Sequence, residues 1–184
     1  HTGDCVCGKT DVENEHTYVD FICVCGDISS ECLERWDVSA TESDKVIAEL
    51  IEDKANLGKY TLTISGTGNM KDWSVYSETP WYSYREKISA VIIEDGVTNV
   101  GDYAFYNCTS LTSITIPESV TSIGSYAFCE CTSLASITIP ESITSIGDSA
   151  FFGCTSLTSV TIPKSVTRMG GCAFCDCSNL IIYA

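Results

Sequence analysis

Residues 111–131 read Leu111-Thr-Ser-Ile-Thr-Ile-Pro-Glu-Ser-Val-Thr-Ser-Ile-Gly-Ser-Tyr-Ala-Phe-Cys-Glu-Cys131, and the stretch recurs along the chain. Moved on by 23 residues it becomes Leu134-Ala-Ser-Ile-Thr-Ile-Pro-Glu-Ser-Ile-Thr-Ser-Ile-Gly-Asp-Ser-Ala-Phe-Phe-Gly-Cys154. Ala104-Phe105, Ala127-Phe128, Ala150-Phe151 and Ala173-Phe174 keep the same interval, as do Cys108, Cys131, Cys154 and Cys177. Ile88, Leu111, Leu134, Leu157 and Leu180 form an apolar column, and Ile93, Ile116, Ile139 and Ile162 another. Self-similarity at a fixed short period means one supersecondary unit per repeat, unable to bury its apolar face alone and stabilised by stacking on its neighbours.

Within each unit Leu-x-x-Ile-x-Ile ends in an in–out alternation, which is strand periodicity. Pro117, Pro140 and Pro163 follow and end the strand, because proline has no amide to donate to a ladder. Gly101, Gly124, Gly147 and Gly170 keep one backbone position free of a Cβ. The 23-residue period lies in the leucine-rich-repeat range. The expected fold is therefore α+β: a leucine-rich-repeat solenoid of parallel β-strands behind an N-terminal cap of a helix and short strands. The expected division is a Cys-rich segment over 1–40, a cap over 41–87, and a solenoid over 88–184 with four repeats and a partial fifth. The chain begins at His1 rather than Met, so the sequence reading expects an upstream segment to have been removed.

The cap helix is expected from Thr41 to Leu57. Thr41 and Asp44 have capping spacing, Val46, Ile47, Leu50 and Ile51 form a stripe, and Gly58 suits a C-terminal stop. Tyr60 to Ser65 alternates as a strand and Gly66-Thr67-Gly68-Asn69 reads as a turn. Trp73, Tyr76, Trp81, Tyr82 and Tyr84 then cluster before the first repeat. They suit a lid over the solenoid's exposed first coil, with an aromatic platform for a glycan or partner as the other reading.

Cysteine usage divides in two. The Cys108, Cys131, Cys154, Cys177 column reads as a stack of buried thiols, since uncharged cysteine packs as a small apolar residue. A redox or metal ladder would need thiolates in polar surroundings. Cys5-Val-Cys7-Gly8 and Cys23-Val-Cys25-Gly26 form a matched pair of knuckles. Cys5, Cys7, Cys23 and Cys25 suit disulfides or a structural zinc site, with free thiols as the remaining reading, and no other cofactor is expected.

The 184 residues carry 25 Asp and Glu against 10 Lys and Arg, a formal net charge of −15. That balance argues against nucleic acid, whose phosphates need clustered cations. No run approaches the ~20 apolar residues of a spanning helix. Only His1 and His16 could serve a nucleophile–histidine constellation, and both lie in the Cys-rich segment, so no catalytic residues are expected.

Residues 88–184, written as Leu111 to Cys131 above, resemble the BspA-like leucine-rich repeats of bacterial and protozoan surface proteins. The lead-in Tyr60-Thr-Leu-Thr-Ile-Ser-Gly-Thr-Gly-Asn-Met-Lys-Asp-Trp73 is similar to that of such proteins in gut anaerobic bacteria. The resemblance implies a non-enzymatic, secreted or cell-surface protein-binding module for adhesion. Its implied partners are host extracellular-matrix proteins such as fibronectin and fibrinogen, other surface proteins, or glycans. The alternative is a structural spacer or stalk in a larger envelope protein. If the repeat strands line the solenoid's concave face, its outward positions are Ser113, Thr115, Ser136, Thr138, Ser159 and Thr161, the expected ligand-binding set. Threonine also favours exposed strand positions for propensity alone. Glu118, Glu141 and Lys164 vary the charge along the rim.

Overall fold

The computed structural model describes residues 32–184. Strands β1 (Cys32–Asp37), β2 (Lys45–Glu52) and β3 (Tyr60–Thr67) run antiparallel with β2 in the middle. β3 then pairs in parallel with β4 (Ile88–Ile93), and β4 with β6 (Ser113–Thr115). One five-stranded sheet therefore leads from the N-terminal strands into the repeats, and each coil inherits a partner edge from the element before it.

The helix expected over Thr41–Leu57 is not present; β2 occupies its centre, and the described residues hold no α-helix, only 3-10 turns at Tyr76–Glu78 and Tyr82–Tyr84. Val46, Ala48 and Leu50 are fully buried while Ile47, Glu49 and Ile51 are half-buried, a two-residue period. The stripe Val46, Ile47, Leu50, Ile51 fits both periods, and β1 and β3 on either side settle it: Ala48 lies between Trp36 and Ile64. The capping residues do meet, but in a turn. The Asp44 carboxylate accepts hydrogen bonds from the Thr41 amide (3.0 Å) and hydroxyl (2.7 Å), and from the Asn69 amide (3.0 Å). The Asn69 amide and the Thr41 hydroxyl together hold the Asp44 carboxyl below its usual pKa. Gly58 is left-handed as a helix stop requires (φ 80°), yet it closes the β2–β3 hairpin. The turn expected at Gly66–Asn69 is also absent. β3 continues through Gly66, where a Cβ would collide with the Lys45 carbonyl oxygen, and Gly68 bridges to Val97.

Each repeat winds into a coil with three hydrogen-bonded sides. The first carries β4, β6, Ser136, β9 (Ser159–Thr161) and β11 (Ile181–Tyr183). Only β4–β6 and β9–β11 pair as strands there, with Ser136 joined to Ser159 by one bridge. The second side is a four-stranded parallel sheet of β5 (Asn99–Val100), β7 (Ser122–Ile123), β8 (Ser145–Ile146) and β10 (Arg168–Met169), in the order β10-β8-β7-β5. On the third side the chain turns, and the amides of Tyr103, Phe105 and Asn107 donate forward to the carbonyls of Ser125, Ala127 and Cys129 at 2.8–2.9 Å. Bonds on the second side run the other way, with the Gly124 amide donating back to Val100 at 2.8 Å. The close approach of coils explains the glycine column: a Cβ on Gly124 would stand 2.6 Å from the Asp102 amide nitrogen.

The core is a column of rings. Trp81 stacks on Phe105 (6.0 Å between centroids), Phe105 on Phe128 (5.3 Å), Phe128 on Phe151 (5.2 Å) and Phe151 on Phe174 (5.0 Å). Trp36 and Trp73 meet Trp81 edge-on at 6.0 and 5.4 Å and close the column at its start. The Trp81 indole donates to the Ala104 carbonyl at 2.8 Å, so its polar end is satisfied within the core.

The cysteine column is built of thiols, buried at Cys108, Cys131 and Cys154 and half-buried at Cys177. Cys131, Cys154 and Cys177 each donate Sγ–H to the carbonyl of Phe105, Phe128 or Phe151 in the preceding coil, at 3.1–3.2 Å. Burial pushes the Cys108 and Cys154 thiols up to about 12 and Cys129 to about 11, and raises Cys131 well above its ordinary value. Cys172 and Cys175 form a disulfide within one turn.

Two outcomes follow. Phe128→Ala opens a cavity between two coils and lowers unfolding free energy by about 3–5 kcal/mol, while Phe174→Ala, at a half-buried ring, costs clearly less, as urea titration will register. Cys108, Cys131 and Cys154 stay unmodified by iodoacetamide in the native protein at pH 8, because the thiolate is the nucleophile and their pKa values lie far above that pH. Peptide mass spectrometry before and after denaturation reads this directly.

Candidate functional site

Hydroxyl side chains are abundant on the coils, and the structure sorts them by whether stacking already uses them. Thr112, Thr121, Thr144 and Thr167 each donate Oγ1–H to a carbonyl of the preceding coil, at 3.1–3.3 Å. Ser119 and Ser142 do the same to Val97 and Val120 at 2.8 and 2.6 Å. These hydroxyl protons are committed to holding the stack together. Ser113, Thr115, Ser136, Thr138, Ser159 and Thr161 differ: all six are exposed, and no hydrogen bond among the described residues engages their hydroxyls.

The six residues share the first side, but not as one even array. Ser113 and Thr115 lie on β6 in the five-stranded sheet, Ser159 and Thr161 on β9, and no strand pairing links the coil of Ser136 and Thr138 to β6. β11 sits one residue short of the repeat interval, so Ile181 and Tyr183 rather than Ile182 face Ser159 and Thr161. Ala90 and Ile92 extend the same face at β4, with Ile92 40% exposed. A groove of about 480 Å³ flanks this side, formed by Ser113, Ala90 and Ser133 with Lys59, Asn56 and Asp53 of the β2–β3 hairpin. The Lys59 ammonium donates to the Ser110 hydroxyl at 2.7 Å and anchors that hairpin against the repeats.

The larger concavity is on the second side, which sequence reasoning passed over. A groove of about 730 Å³ runs along β5, β7, β8 and β10, and its lining includes Ser122, Ser145 and Arg168 together with Asp72, Asp102 and Asp148. A signal was present: Asn99, Ser122, Ser145 and Arg168 keep the 23-residue interval beside a buried apolar column. The expected aromatic lid divides between core and surface. Trp73 and Trp81 are buried, whereas Tyr76 stays 40% exposed and stacks on Tyr106 at 4.7 Å, and Tyr103 stacks on Tyr126 at 4.8 Å. Glu118, Glu141 and Lys164 are exposed as a rim. Cys5, Cys7, Cys23 and Cys25, together with His1 and His16, lie outside the described residues. Among the described residues, no group of three or more His, Cys, Asp or Glu side chains could hold a metal ion, and no helix is long and apolar enough to cross a membrane.

The chain is similar to solved leucine-rich-repeat proteins. One from Eubacterium ventriosum is 30% identical, with a TM-score of 0.62 over 82% of this chain and 44% of that one. Another, from Bacteroides ovatus, is 28% identical, with a TM-score of 0.55 over 74% of this chain and 39% of that one. A leucine-rich-repeat protein of T. pallidum shares the fold at 24% identity and a TM-score of 0.54, over 78% of this chain and 70% of that one. The chain thus spans less than half the length of the first two. No curated protein matches it. The profile of the BspA type leucine rich repeat region matches residues 79–182 in six copies. Proteins of this type are commonly surface-associated or secreted, take part in protein interaction, and are typically binding modules without catalysis. With that profile covering more than half its length, and with the coils described above, the chain belongs to the BspA-type leucine-rich-repeat family.

Proposed function

We propose that this chain is an adhesive module, secreted or held at the cell surface, that binds a protein partner through the first side of the solenoid. The observation that carries the reading is the sorting of hydroxyls. Thr112, Thr121, Thr144 and Thr167 are held by the neighbouring coil, while Ser113, Thr115, Ser136, Thr138, Ser159 and Thr161 present free donors and acceptors on the first side. Hydroxyl rows on a rigid backbone bind with little ordering cost, because the scaffold holds them before contact is made. Exposed Ile92 adds an apolar contact at one end, and the Lys59 hairpin a positive one. A net charge of −15 favours partners with basic surfaces and speeds their approach at low salt. Extracellular-matrix proteins are the partner class in view.

A second reading, a spacer segment in a larger envelope protein, is favoured by the way each coil is hydrogen-bonded to the next on its second and third sides. A rod so linked transmits position without needing a ligand of its own.

Surface-binding measurements on immobilised fibronectin and fibrinogen test the adhesive reading. The wild-type chain binds at least one of them, and Thr115→Lys and Thr138→Lys each weaken that binding at least tenfold while thermal unfolding stays unchanged. Binding that survives both substitutions removes the first side from the interface, and an inert wild-type chain favours the spacer.

A further inference from the structure

The second-side groove has a chemistry different from that of the first side. Its length covers four rungs at about 4.8 Å each, roughly 14 Å from β5 to β10, which suits a short chain molecule rather than a single small ring. Asn99 closes one end, its side-chain amide bonded to the Met70 amide (2.6 Å) and carbonyl (3.1 Å). Arg168 stands at the other end, exposed and without an ion-pair partner among the described residues.

Between them the Ser122 and Ser145 hydroxyls have no partner among the described residues, and the three carboxylates are set in a particular way. Asp72 accepts from the Asp102 amide at 3.0 Å, Asp102 from the Ser125 amide at 2.6 Å, and Asp148 from the Gly171 amide at 2.6 Å. In each case one oxygen is fixed by backbone and the other has no partner among the described residues, so an acceptor is held in place before any ligand arrives. Partial burial raises the Asp102 pKa, and the nearby Asp72 charge adds to that rise. Beyond the groove, Tyr103 follows Asp102 in the chain and Tyr126 follows Ser125, and the two rings stack at 4.8 Å on the third side.

These features narrow the ligand class. Three carboxylates against one guanidinium, on a chain of net charge −15, repel an anionic polymer. Serine hydroxyls, carboxylates and Arg168 interrupt the apolar surface that Val100, Ile123, Ile146 and Met169 give the groove, so a wholly apolar ligand would cover polar groups without pairing them. An extended peptide usually docks by adding a strand, and in this sheet only the outer edges of β5 and β10 could take one, at the ends of the groove rather than along it. What remains is a molecule whose own groups both donate and accept at short regular intervals and whose C–H faces can meet aromatic rings.

We propose that the groove along β5, β7, β8 and β10 binds a neutral linear oligosaccharide laid parallel to the solenoid axis. Carboxylate oxygens of Asp102 and Asp148 accept from sugar hydroxyls, Arg168 donates to them, and Tyr103 and Tyr126 border the chain. The site is separate from the first side and stands or falls without it.

The test is calorimetric titration of the whole chain with xylohexaose, mannohexaose and cellohexaose, beside a heparin hexasaccharide. At least one neutral hexasaccharide binds, and heparin does not. Ser145→Trp fills the groove and abolishes binding; Asp102→Asn keeps the Ser125 hydrogen bond and weakens binding roughly tenfold, as loss of a charged acceptor predicts. Thr138→Lys, on the first side, leaves it unchanged. If Ser145→Trp fails to fold, Asp102→Asn carries the comparison. Absence of binding to all three neutral sugars, a preference for heparin, or full affinity in Asp102→Asn overturns the proposal.

Discussion

A phenyl ring at the centre of this solenoid is dry only because another aromatic ring lies on each side of it. Phe105, Phe128 and Phe151 are fully buried; Phe128 and Phe151 are covered by the rings of the coils before and after, and Phe105 by Trp81 and Phe128. The same dependence governs the backbone. The amides on the second side donate to the previous coil and those on the third side to the next, so an isolated coil would leave both sets unsatisfied. Burial and hydrogen bonding thus share one condition, the presence of a neighbour, and repetition of sequence is how the chain meets it.

That condition also explains the two ends of the column. Trp81, backed edge-on by Trp36 and Trp73, supplies a large ring against Phe105 where no preceding coil exists, and the β1–β2–β3 meander gives β4 a paired edge. An antiparallel sheet feeding a parallel one is the economical junction here: β3 offers hydrogen bonds on both edges, antiparallel to β2 and parallel to β4. The apolar lid and the sheet are therefore one device, and the tyrosines left outside it, Tyr76, Tyr103, Tyr106 and Tyr126, decorate the third side rather than the core.

Much of this was legible in the residues. The Ala-Phe pairs and the Leu–Ile columns located the core, Pro117 and its equivalents marked the strand ends, and the Gly124 column marked the close approach of coils. The failures share a cause, since each concerns partners that lie far off in sequence. Val46 to Ile51 satisfied a helical and a strand period alike, and only the neighbouring β1 and β3 chose between them. The outward hydroxyls of the first side were found, but the interruption between β6 and the coil of Thr138 and the one-residue slip of β11 do not show in a strict 23-residue register. The second-side groove was missed because Ser122 and Ser145 look like ordinary exposed strand residues until Asp72, brought in from the lid, and Asp102 wall them in.

Amide hydrogen exchange resolved by coil tests the central claim most directly. If neighbours make the fold, the Phe105 and Phe128 amides, covered on both sides, exchange only on global opening, while those of the Cys172–Leu180 turn open first and at lower cost. Equal protection in both coils would contradict the account, as would persistent protection of the outer coil after the inner ones have opened.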